Sequence, residues 1–124
     1  MTKISFNIYH NPRCSKSREA LEILSSKTKD FKIIKYLDDG IDIIELKSIL
    51  DLNNISNEEI IRTNEHSYKE LKLSKKDLSK DTIINFISKF PILLQRPIIC
   101  KYQNNRLVQS VIGRPPETVL SLFD

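Results

Sequence analysis

No run of apolar residues in this chain approaches the roughly 20 needed to cross a bilayer, which excludes a membrane-spanning helix. The opening residues, MTKISFNIYHN, alternate apolar and polar side chains and lack the apolar block of a secretory signal, so the expected location is the cytoplasm. Cysteine is scarce. Cys14 and Cys100 lie far apart, and in a reducing compartment such a pair is not expected to form a structural disulfide, so each thiol is weighed alone. Histidine is as scarce, and His10 and His66 are not spaced with the cysteines as zinc ligands; no metal site is expected. Aromatic residues do not interleave with basic ones to make a base-stacking surface, so the net charge of +4 is not read as a nucleic-acid interface. Repeats, linkers and low-complexity tracts are missing as well.

What remains is the balance of a soluble globular protein, with 40% hydrophobic and 29% charged residues in 124. That length suits one domain with its own core, residues 1–124. The basic excess favours an anionic partner: a small oxyanion, a nucleic acid or an acidic protein surface.

Ile4, Phe6 and Ile8 alternate with Ser5 and Asn7, which predicts a strand from Lys3 to Tyr9, broken by Asn11-Pro12. From Ser15, Ala20, Leu21 and Leu24 recur at helical spacing, with Glu19 early and Lys27 and Lys29 late, an order that suits the helix dipole. Phe31 to Tyr36 reads as a second strand, so the opening is a βαβ unit with parallel pairing. Residues 42–90 read as an all-helical insertion of short pieces, broken at Asn53-Asn54 and Leu73-Ser74-Lys75. Ser79 is the expected N-cap of the last piece and Pro91 its stop. Ile98-Ile99-Cys100 and Leu107 to Ile112 read as a hairpin turning at Gln103-Asn104-Asn105, and Pro116 opens a final helix through Val119, Leu120 and Leu122. The order gives an α/β fold with a mixed sheet.

Cys14 falls where a strand ends and a helix begins. There the unsatisfied N–H groups and the positive end of the helix dipole favour thiolate over thiol, and the same N–H groups cradle a tetrahedral oxyanion. Arg13, Lys16 and Arg18 add positive charge, and His10 is placed either to hydrogen-bond nearby groups or to hold charge beside the sulfur. Cys100 follows two isoleucines in a strand and reads as core; His66 reads as surface.

The segment HNPRCSKSR resembles the active-site loop of the ArsC-type arsenate reductases, the glutaredoxin-coupled family with a thioredoxin-like fold. IIRTNEHSYKELKL (60–73), RPII (96–99) and IGRPPETVL (112–120) are similar to three further family blocks in the same order. Ser15-Lys16 stands where plasmid-type members carry Gly-Thr, and the Cys-Ser-Lys-Ser form looks like that of a chromosomal subgroup. The resemblance implies that Cys14 is the catalytic thiol, that His10 assists it and that Ser17 stands beside it. It also implies that Arg62, Arg96 and Arg114 bind the oxyanion, with Arg18 joining them from the cysteine turn, and that Arg96 precedes a cis Pro97. Guanidinium groups fit that task, because each donates paired hydrogen bonds to two oxygens at once.

The implied activity is reduction of arsenate to arsenite through a Cys14 adduct. No cofactor is bound; glutathione and glutaredoxin serve as external reductants, because Ser17 occupies the second position of a CxxC pair. Two rivals follow from the same resemblance. An Spx-like regulator binding RNA polymerase would need the sulfur that Ser17 replaces, and a glutaredoxin-like thiol oxidoreductase would need Cys14 but not all three arginines.

Overall fold

The computed structural model describes residues 2–73 and 78–124. Its centre is a four-stranded mixed sheet in the order β2-β1-β3-β4, with β1 at Ile4–Tyr9, β2 at Phe31–Ile34, β3 at Ile98–Gln103 and β4 at Arg106–Ile112. Helix α1 (Ser15–Lys27) makes the crossover from β1 to β2, which pair in parallel as expected, while β3 runs antiparallel to both β1 and β4. The architecture is thioredoxin-like.

Strand β1 is buried on both faces, and its alternation sorts two cores. Phe6 and Ile8 join Ala20 and Leu24 of α1 and Val119 and Leu122 of the C-terminal segment on one side. Tyr9 points the other way, with Ile98 and Cys100, into a larger core built from α3 (Ile43–Asp51), α5 (Lys80–Lys89) and the loops between them. Asp42 caps α3 by accepting from the Ile44 and Glu45 N–H groups. Ser79 caps α5 by accepting from Thr82 and the helix ends before Pro91, both as the sequence predicts, and Pro91 opens a 3-10 turn beyond that end. Glu45, the buried carboxylate of α3, ties that helix to the sheet by accepting from the Tyr9 and Tyr102 hydroxyls and, at 2.8 Å, from Asn7 Nδ2.

Four features differ from the sequence reading. β2 stops at Ile34, because Tyr36 turns inward to start the short helix α2 (Tyr36–Asp39), which closes on Gly40 at φ 83°. The stretch expected to be all helical contains α3, α4 (His66–Glu70) and α5, yet residues 60–62 pair with residues 93–95: Ile61 bridges Leu94, Arg62 N donates to Leu93 O and Gln95 N to Ile60 O. The break expected at Ser74-Lys75 lies outside the described residues. The hairpin turns on Asn104 and Asn105 alone, both at positive φ, as a two-residue turn demands, so Gln103 belongs to β3. The final helix, Pro116–Phe123, is wound as a 3-10 helix throughout.

The topology decides where chemistry can gather. Tyr9 pairs with both Ile34 and Ile98, and Ile98 with Ile112. The carboxyl ends of β1, β2 and β4 and the amino end of β3 therefore share one end of the sheet. The segments carrying Cys14, Tyr36, Arg96 and Arg114 all open from it.

Candidate active site

Cys14 is the N-cap residue of α1, half-buried and extended in backbone. No side chain closes a cap hydrogen bond at this helix end. Partial burial works against ionisation of the thiol; the N–H groups of Ser17 and Lys16 and the charges of Arg96 and Arg114 outweigh it, and hold the thiol below its ordinary value. Cys100 is the opposite case, fully buried in β3 and pushed up by desolvation and by the Glu45 carboxylate. The two thiols, one at a helix end beside cations and one in the core, thus occupy opposite environments.

His10 and Ser17 form a buried pair across the loop, with His10 Nδ1 at 2.7 Å from Ser17 Oγ. Ser17 Oγ also accepts from the Asn11 backbone N–H at 3.0 Å. Burial lowers the His10 pKa, and the nearby positive charges of Lys35 and Arg18 add to the effect. The ring is therefore neutral near pH 7. Of the two roles open to His10 in the sequence, the geometry shows the hydrogen bond to Ser17.

The three arginines distant in sequence meet. Arg62, Arg96 and Arg114 line one cavity of about 210 Å³ together with Thr63, Asn64 and Gln95. Arg114 Nη1 lies 3.8 Å from Cys14 Sγ and donates to the Arg96 carbonyl at 3.1 Å. Arg62 is positioned by the pairing of residues 60–62, donates to the Ile92 carbonyl at 3.2 Å and contacts Glu65 at 3.3 Å. Its pKa is lowered by burial and by the charge of Arg96, as expected for crowded like charges. Gln95 accepts from the Arg96 guanidinium at 3.4 Å, yet Arg96 Nε is buried without a partner. Two carbonyls, one amide and one carboxylate thus orient three cations, leaving positive charge over the sulfur for an anion to neutralise. Pro97 follows Arg96 through a cis bond, as the resemblance implied, and the Arg114-Pro115 bond is cis as well.

The remaining basic residues of the loop point elsewhere. Arg18 donates to the Pro12 carbonyl at 2.9 Å and is not among the residues lining the arginine cavity. Lys16 lies 3.7 Å from Glu19 on the exposed face of α1, and Arg13 is exposed. His66, on the surface as expected, is 3.0 Å from Glu70.

Sequence reasoning missed Tyr36 and Gln95. Tyr36 is fully buried, its hydroxyl has no partner, and desolvation pushes its pKa up to about 12 against the opposing charges of Arg96 and Arg62. A tyrosine directly after a strand whose end is shared with Cys14 is a signal only once the parallel pairing is known.

Comparison with known proteins places the chain among relatives of similar length. The model of the ArsC family matches residues 9–122. An uncharacterized protein of Escherichia coli, YfgD, is 38% identical over 98% of each chain. A protein of Haemophilus influenzae named arsenate reductase is 39% identical, over 97% of this chain and all of that one. Among solved structures, an arsenate reductase from Vibrio cholerae superposes with a TM-score of 0.81 at 38% identity, covering 96% of this chain and 98% of the other.

Proposed function

The chain belongs to the ArsC family, and from that premise we propose that it is an arsenate reductase whose nucleophile is Cys14. The observation that carries the reading is the placement of Arg114 Nη1 at 3.8 Å from the Cys14 sulfur, by a residue that also lines one cavity with Arg62 and Arg96. A dianionic tetrahedral oxyanion in that cavity meets three guanidinium groups, one of which reaches the Cys14 sulfur.

In the proposed reaction the Cys14 thiolate attacks arsenic, a sulfur–arsenic bond forms, and one oxygen leaves as water after taking up a proton. A second thiol, supplied by glutathione, then attacks the adduct and displaces another oxygen as water. A glutaredoxin thiolate then attacks the glutathione sulfur, so the glutathione–glutaredoxin disulfide forms and the sulfur–arsenic electron pair stays on arsenic. One water then hydrolyses the Cys14–arsenic bond, which releases arsenite and restores the thiol. Two thiols become one disulfide while arsenic passes from the +5 to the +3 state, so two electrons move and the balance closes. The arginines stabilise the charge that develops on the oxygens. The neutral His10–Ser17 pair holds the cysteine loop in shape, and Arg18 braces the same loop through Pro12. The cell compartment proposed is the cytoplasm, where these thiols are reduced.

The test is arsenate-dependent NADPH consumption in a system coupled to glutathione, glutathione reductase and glutaredoxin. Wild type should turn over and Cys14→Ser should not, while Arg62→Ala, Arg96→Ala and Arg114→Ala should each raise the KM for arsenate. A wild-type rate no higher than that of Cys14→Ser refutes the reading; reduction of glutathione mixed disulfides in its place would favour a glutaredoxin-like oxidoreductase.

A further inference from the structure

A second cavity, of about 470 Å³, adjoins the arginine cavity and shares Thr63, Gln95 and Arg114 with it. Its volume is in the range of small-molecule sites. Its lining combines three kinds of surface. Ile55, Ile61, Val111 and Ile112 are apolar; Glu58 and Glu59 are acidic; Arg114 is basic. Among the described residues no ion pair joins Arg114 to either carboxylate, so both signs of charge face the same space. Glu59 is committed to its own turn by accepting from the Ser56 N–H at 3.1 Å, which leaves Glu58 as the carboxylate for a ligand. Ser110 of β4 also lines this cavity; it is 1% exposed and its hydroxyl has no partner. A buried hydroxyl left unpaired is unfavourable, and a polar ligand group nearby relieves it.

We propose that this cavity binds the second thiol substrate, a small zwitterionic thiol of the glutathione class, with its ammonium group on Glu58 and its thiol end toward Arg114. The inference rests on the arsenate-reduction reading, because that reaction requires a separate thiol to reach arsenic carried on Cys14. The geometry supplies the path: Arg114 borders both cavities, and its guanidinium is the group beside the sulfur. An amino-acid thiol presents what the lining asks for, a cation at one end, methylene groups between and a soft nucleophile at the other.

Glu58→Gln is the variant to make, since Glu58 is exposed and its loss leaves both cores untouched. With glutathione varied, the KM should rise about threefold, the scale of one exposed ion pair. The KM for arsenate, and the rate with 2-mercaptoethanol as thiol donor, should not change. The sign matters. Glutathione is a net anion, so a purely long-range effect of removing a negative charge would lower its KM. An unchanged or lowered KM for glutathione, or an equal rise with both thiols, overturns the proposal.

If the wild type shows no arsenate turnover, the same site is read by disulfide exchange. The Cys14 thiolate attacks oxidised glutathione, a mixed disulfide forms and one glutathione thiolate leaves; mass spectrometry follows the adduct. Slower capture of oxidised glutathione by Glu58→Gln, with unchanged capture of hydroxyethyl disulfide, would uphold the cavity assignment while the arsenate reading falls. Equal rates for wild type and variant would remove it.

Discussion

Replacing Ser17 by alanine should destabilise the protein by about 2 kcal/mol while leaving the cysteine as acidic as before. The hydroxyl is fully buried and serves two neighbours, His10 Nδ1 at 2.7 Å and the Asn11 N–H at 3.0 Å. Without it the buried ring nitrogen has no partner, which costs about 1–3 kcal/mol. Asn11 is only half-buried, so water can replace the lost acceptor at a cost of roughly 0.5 kcal/mol. Alanine recovers about 0.5 kcal/mol through its better helix propensity in the first turn of α1. Urea unfolding at pH 7.5 measures the net change, with the slope expected to stay constant. The thiol should not respond, because it is the backbone N–H of Ser17 that favours the thiolate, and alanine keeps it. Alkylation of Cys14 followed against pH is the second readout. A stability loss under about 0.5 kcal/mol would refute the buried strut, and a raised Cys14 pKa would show that the hydroxyl acts on the sulfur after all.

In the wild type, iodoacetamide should label Cys14 with a midpoint below that of an ordinary thiol and leave Cys100 unlabelled until the protein unfolds; equal labelling of both would contradict their opposite shifts. Because folding lowers the Cys14 pKa, its contribution to stability is present above the unfolded thiol's pKa and is lost as pH falls through the folded value. The His10 ring, followed by NMR, should titrate below 6.5, so the folded state loses stability as pH drops through 6.5 and the unfolded chain takes up the proton first; a midpoint above 6.5 would reverse the sign. Gly113→Ala should destabilise by about 1–3 kcal/mol in a thermal or denaturant melt, because the added Cβ would stand 2.9 Å from Pro97 Cγ and 3.1 Å from Ala20 Cβ; a neutral result would mean that the Pro97 ring shifts freely.

The elements that could be read from sequence were those whose determinants are local. Alternation in β1, the Asn11-Pro12 break, Ser79 before α5 and the asparagine pair of the hairpin each act on their own neighbours, and each is realised within a residue or two. The setting of Cys14 at a helix end was legible for the same reason, since that end lies in the same nine residues. Convergence of the arginines was not legible from spacing. Arg62 reaches the site through the pairing of Ile61 with Leu94, and Arg114 through the end of β4, both of them tertiary events; only the resemblance anticipated them. His10 shows a third situation. Its identity was visible but its protonation was not, because burial sets it, and burial is a property of the assembled core. Glu45 and Tyr36 had no outward mark in an unremarkable helix and strand end, although one ties the helices to the sheet and the other lies within the field of the arginines.

A cysteine at the cap of α1 has a consequence for the helix as well as for the sulfur. Serine, threonine or aspartate at that point would tie down a loose N–H group and add on the order of 1 kcal/mol. Here the chain forgoes that gain. The dangling donors of an uncapped helix are ordinarily a defect; in this loop they are vacant seats turned toward the one atom that must bear negative charge. Stability has been surrendered at a single residue, and a sulfur whose ionised form those donors favour occupies the place it left.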